Sequence, residues 1–216
     1  SYVHQEVQDS DFAANHFPTD ANGNVYRAGH PYWDADLSYQ GTNWQTYTNE
    51  GYAKTSNKSE NDWSDLIHLT EVLSNTPDSN YWTEAQQVVN VPQWLRYFAV
   101  FTLIGSQETA LGTGAGDDFA LYRGLVDARF QLMGHDWDTV LNQGDHAGDP
   151  NQTLFGAANG ISAIGTPGVP NVARFLKHPE IAPRYYAELL DQLSNTFAPA
   201  EISRTHGVAA RWRFEL

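Results

Sequence analysis

Cysteine is absent from the 216-residue sequence. That excludes disulfides and thiolate metal sites, and it leaves compartment unreadable from thiols. Basic residues are scarce: 12 Lys and Arg stand against 26 Asp and Glu, for a net charge of −14. A surface of that sign repels nucleic acid and anionic membrane, and it suits cations and basic partners. No apolar run approaches the ~20 residues a membrane-spanning helix requires. No signal-peptide pattern is present, and a first residue of Ser1 reads as a processed or excised piece. Apolar residues, by contrast, make up 41% of the chain, with seven Trp and eleven Tyr. That supports one sizeable core, or one lobe of a larger protein.

Periodicity places the elements. Residues 2–7 read as a strand, and residues 9–15 as a short helix with an acidic first turn. Residues 20–24 form a turn rather than a calcium loop, because Gly23 falls at position four where such a loop needs glycine at six. Residues 27–58 have no clear period and read as an irregular region packed by aromatics. Apolar spacing predicts a helix over 62–74, with Asp62 near its cap. Asn90, Val91 and Pro92 open a second helix over 93–104, apolar nearly all round and therefore central. Two further helices are expected over 169–177 and 179–197. The reading is an α+β chain: a mainly helical lobe with a β-hairpin over 119–133 on one side.

The chemistry gathers around that hairpin. Asp117 and Asp118 stand at its entrance, and Asp136 and Asp138 at its exit. Crowded carboxylates raise each other's pKa and cost stability, and a divalent cation is the usual compensation. Hard oxygen donors suit magnesium, manganese or calcium. A polar ligand, a hairpin and then an Asp is also how protein kinases place their two metal ligands.

Several segments together resemble the spore coat protein H (CotH) kinase family, an atypical kinase family. They include Gly23-Asn24-Val25-Tyr26-Arg27, Tyr52-Ala53-Lys54-Thr55, the helix from Asp62 to Ile67 and the helix from Trp94 to Val100. The more specific blocks are Asp117 to Arg123, His135 to Asp145, and Arg174 to Tyr186. The resemblance implies a kinase-like large lobe that uses ATP with Mg2+ or Mn2+, acts on a protein substrate, and is secreted or at the cell surface. It implies Asp136 as the metal-binding Asp, supported by Asp138, with Asp117 where the family commonly has a metal-ligating Asn. It places Phe130 and Glu6 with the nucleotide.

The chain departs from that pattern in two ways. Five residues before Asp117 stands Gly112, which cannot serve as a base, so Glu108 and Asp118 are the candidates. No Gly-rich phosphate loop followed by a strand lysine is present, so the small lobe is expected to lie before Ser1. The alternative reading is a non-catalytic kinase-like coat or scaffold protein. A third, a calcium-stabilised carbohydrate-binding module, rests on the many Trp and Tyr, most of which fall at helix-core spacing. Lys54 reads as a solvated loop residue or a phosphate contact, and His135 as a hydrogen-bonded neighbour of Asp136 or a ligand.

Overall fold

The computed structural model describes residues 6–29, 35–106, 111, 118–135, 137, 140–141, 154–155 and 168–204. They form an α+β fold. Four strands, β1 (Asn24–Ala28), β2 (Tyr52–Lys54), β3 (Phe119–Arg123) and β4 (Gln131–Gly134), make an antiparallel sheet in the order β2-β1-β3-β4. The helices are α1 (Ser10–His16), α2 (Trp44–Asn49), α3 (Ser64–Asn75), α4 (Asp78–Val88), α5 (Val91–Ile104), α6 (Pro170–Lys177) and α7 (Ala182–Ser194).

Helix α5 is central, as its apolar circumference predicts. Asn90 caps it by accepting from the Gln93 amide at 3.3 Å, and Pro92 sits in the first turn where no N–H is needed. Gly105, at φ +69°, ends it, and the Ser106 amide folds back to the Phe101 carbonyl at 2.9 Å. Its buried Trp94 and Phe98 are each worth about 1.5–3 kcal/mol of transfer from water. Trp94 meets Phe175 of α6 edge-on at 5.4 Å, and Thr102 bonds Tyr185 of α7 at 2.9 Å.

The α3–α4 corner is tied by Arg174 of α6. Its guanidinium donates to the Leu73 carbonyl at 3.0 Å and to Asp78 at 2.7 Å. This places a cation at a helix C-terminus and beside a helix N-terminal carboxylate, both favourable with the backbone dipoles.

The region 27–58 is not irregular throughout: it contains the end of β1, then α2 and β2. Strand alternation is hidden there because both faces of β1 are covered. Val25 packs with Ala13 and Tyr122 on one face, while Tyr26 joins the main core on the other. Helix α4 was not anticipated. Of the stretch expected as a strand over 2–7, residues 6 and 7 carry no strand, and 1–5 lie outside the described residues.

Strand β4 would be an open edge, and the α4–α5 corner covers it. The Phe130 amide donates to the Val88 carbonyl at 2.7 Å, and the Phe130 carbonyl accepts from the Asn90 amide at 3.0 Å. The Gln93 side chain then behaves as a short piece of strand. It accepts from the Leu132 amide at 2.8 Å and donates to the Leu132 carbonyl at 2.7 Å.

The turn joining β3 to β4 is clamped from a distance. Asp20 accepts the amides of Leu125, Val126 and Asp127 at 2.8, 2.9 and 2.9 Å. Burial pushes the Asp20 carboxyl up, but the three amides outweigh it and hold the carboxyl below its ordinary value. Gly124 is required here, since a Cβ at that position would lie 1.8 Å from an Asp20 oxygen.

Candidate functional site

The hairpin does what its sequence promises: it brings its entrance and exit together. Phe119 pairs with Gly134 as the outermost rung. One step further out, the His135 amide donates to the Asp118 carbonyl at 2.8 Å, and His135 Nδ1 lies 3.7 Å from Asp118 Oδ1. Asp118 has φ +56°, a left-handed backbone that Asp tolerates better than most residues.

Arg27 of β1 reaches the same mouth. It sits opposite Ala120 of β3, and its Nη2 is 3.0 Å from His135 Nε2. A guanidinium only donates, so Nε2 accepts and the imidazole proton sits on Nδ1, the atom nearer Asp118. The Arg27 Nε is buried and has no acceptor among the described residues. Tyr97 of α5 is buried nearby. Burial pushes its hydroxyl well up, and the nearby Asp118 charge pushes it further.

Beyond His135 the chain is laid against the C-terminal part of α5. Trp137 meets Phe101 edge-on at 5.4 Å, and the Leu141 amide donates to the Ile104 carbonyl at 2.7 Å. Asp118 is thus the described acidic candidate at this mouth. Asp136 and Asp138, expected at the exit, lie outside the described residues, as do Asp117 and Glu108.

Phe130 and Glu6 are found elsewhere. Phe130 is 1% exposed and belongs to the core, where its ring faces Tyr26 at 6.3 Å. Glu6 is tied to α1, accepting from Asn15 at 3.0 Å and lying 2.8 Å from His16 Nε2. Lys54 is neither solvated nor open to a phosphate. It is buried, donates to the Asp62 carbonyl at 2.5 Å, and faces the Tyr26 ring at 5.6 Å. The Tyr26 hydroxyl in turn bonds Asp65 at 2.5 Å. Burial and then the Asp65 charge push that hydroxyl far above its ordinary range.

Among the described residues no three His, Asp or Glu side chains cluster as a metal site. Asp118 and His135 offer one carboxylate and one imidazole. The expected acidic donors at positions 117, 136 and 138 lie outside the described residues. Arg27 and Tyr97 were missed as site residues in the sequence. Arg27 lies on a strand whose alternation is hidden, although it closes the Gly23–Arg27 segment. Tyr97 reads as one more apolar position of α5.

Among the described residues no helix is long and apolar enough to cross a membrane. A family model described as CotH kinase protein matches residues 2–206 of the chain. No curated protein matches it.

Proposed function

The chain belongs to the CotH kinase family, and from that premise we propose that it is the large lobe of an atypical, ATP- and metal-dependent protein kinase, secreted or at the cell surface. The observation that carries the proposal is the closure of the hairpin mouth, with Asp118 and His135 joined at 2.8 Å beneath Arg27. Asp136 and Asp117 would hold Mg2+ or Mn2+, with Asp138 in support. The metal would neutralise charge on the nucleotide phosphates.

The chain's own residues then have distinct tasks. ATP, when bound, would supply its γ-phosphoryl group to an acceptor hydroxyl of the substrate, with ADP as the leaving group. Asp118 takes the proton of that hydroxyl, with Glu108 the other candidate base. The Arg27 guanidinium, beside His135 at the mouth, is the kind of group that pairs with a phosphate. Phe130, enclosed in the core, supports the hairpin root rather than touching the nucleotide, and Glu6 is assigned to the nucleotide side by resemblance. A net charge of −14 favours a basic protein substrate over nucleic acid.

The alternative is the non-catalytic scaffold reading. Arg27 already supplies positive charge beside His135 and Asp118, so the described part of the mouth is compensated without a metal. Calorimetric titration of ATP into the chain, with and without millimolar Mg2+, separates the two. The kinase reading expects binding that depends on the metal. Absence of binding in both conditions supports the scaffold.

A further inference from the structure

We infer that a cleft at the N-terminal end of α5 binds a small amphipathic anion: a flat apolar body carrying one carboxylate, sulfonate or phosphate group. The cleft encloses about 430 Å³, within the range of small-molecule sites, which are mostly apolar with a few placed polar groups. Val89, Val91 and Leu95, all buried, form its floor, and the half-buried Trp82 forms a wall. Arg184 of α7 lies over the Trp82 ring, its guanidinium carbon 4.8 Å from the ring centroid. An apolar floor with a guanidinium at its rim is the chemistry of an aryl or acyl anion site.

The charges around the cleft single out Arg184. Glu188 is compensated by Arg96 at 3.0 Å and also accepts from Gln192 at 2.8 Å. Arg129 is held by both oxygens of Asp127 at 2.8 Å. Arg184 donates Nε to the Glu180 carbonyl at 3.0 Å, and among the described residues no carboxylate pairs with it. On a chain of charge −14, an anion is repelled from most of the surface. A guanidinium without a carboxylate, set beside dry apolar surface, is a local exception.

The cleft is separate from the hairpin mouth. It lies at Val91 and Leu95, whereas the mouth is anchored at Phe101 and Ile104, toward the other end of the 14-residue α5. At 1.5 Å per residue, Leu95 at the cleft and the Phe101 and Ile104 anchors of the mouth stand about 9–14 Å apart along that helix. The inference therefore does not depend on the kinase reading.

The test uses the full chain and two dyes of similar shape: 8-anilinonaphthalene-1-sulfonate, an aryl anion, and N-phenyl-1-naphthylamine, its uncharged analogue. The sulfonate is expected to bind more tightly than the amine and to shift the Trp82 indole N–H resonance. Arg184→Met, a change at an exposed position, should weaken the sulfonate about tenfold or more, as loss of a charge-assisted contact does, and leave the amine nearly unchanged. Leu190→Ser serves as control, because Leu190 is an exposed apolar residue of α7 that could attract either dye. If Arg184→Met binds the sulfonate as tightly as wild type, or Leu190→Ser removes the binding, or Trp82 does not respond, the cleft is not an anion site.

Discussion

Replacing Phe130 by Ala discriminates between a core role and a nucleotide-contact role. The ring is 1% exposed, and truncation leaves the backbone bonds to Val88 and Asn90 in place. What is lost is the ring's burial, together with a cavity beside Tyr26 and under the α4–α5 corner. Such truncations cost about 3–5 kcal/mol. For a chain of this length each kcal/mol moves the melting temperature by about 2–4 °C, so a drop of roughly 6–20 °C is expected. Phe130→Leu should cost no more than about 1.5 kcal/mol, since it keeps most of the volume. Urea unfolding followed by tryptophan fluorescence measures both, as a midpoint shift at constant slope. ATP affinity of the folded fraction should be unchanged in the Leu variant. A loss below about 1 kcal/mol for Phe130→Ala would refute the core assignment. So would an intact fold that no longer binds nucleotide.

Two other predictions concern the frame that holds the hairpin. Asp20, Asp62 and Asp127 all titrate below their ordinary value: Asp20 against its burial through three turn amides, Asp62 through the Ser64 amide, Asp127 through Arg129. A lowered folded pKa gives stability that is present above the unfolded value of about 3.9 and lost as pH falls through the folded one. Asp20→Asn should therefore flatten the acid limb of the stability curve below about pH 4 and lower stability at pH 7; an unchanged acid limb contradicts the clamp. Gln93→Ala should free the Leu132 amide, raising its hydrogen-exchange rate more than that of Leu121 in the neighbouring strand and costing about 1–3 kcal/mol. Equal protection in both proteins would show that Gln93 does not cover the edge.

Much of the fold was legible in the sequence because local signals agreed with the outcome. Asn90 and Pro92 start α5 where their cap chemistry requires, and Gly105 stops it. Strand β3 falls where its apolar run predicts, over Phe119–Arg123. Strand β4 begins only at Gln131, and the turn before it is held at residues 125–127 by Asp20, a partner more than 100 positions away. Helix α4 was missed although Tyr81, Ala85 and Val88 follow a helical stripe, because polar residues surround those three. Lys54 was misread for a related reason. Its partners, the Asp62 carbonyl and the Tyr26 ring, come from elements whose packing no local pattern encodes. At the candidate site, the approach of Asp118 to His135 follows from hairpin pairing alone, whereas Arg27 arrives through the register of β1 on β3.

The central proposal is that acidic residues at the hairpin mouth hold a divalent cation. A thermal melt in EDTA, and again in millimolar Mg2+ or Mn2+, tests it on wild type and on Asp136→Asn. A ligand bound only by the folded state raises its stability by mass action, by about 2.7 kcal/mol at a hundredfold excess over Kd. Wild type should therefore melt several degrees higher with metal. Asp136→Asn keeps the shape but removes the charge, so it should lose that shift while melting in EDTA at or slightly above wild type, since repulsion is relieved. No metal-dependent shift in wild type, or an equal shift in Asp136→Asn, would contradict the metal assignment and leave the scaffold reading in its place.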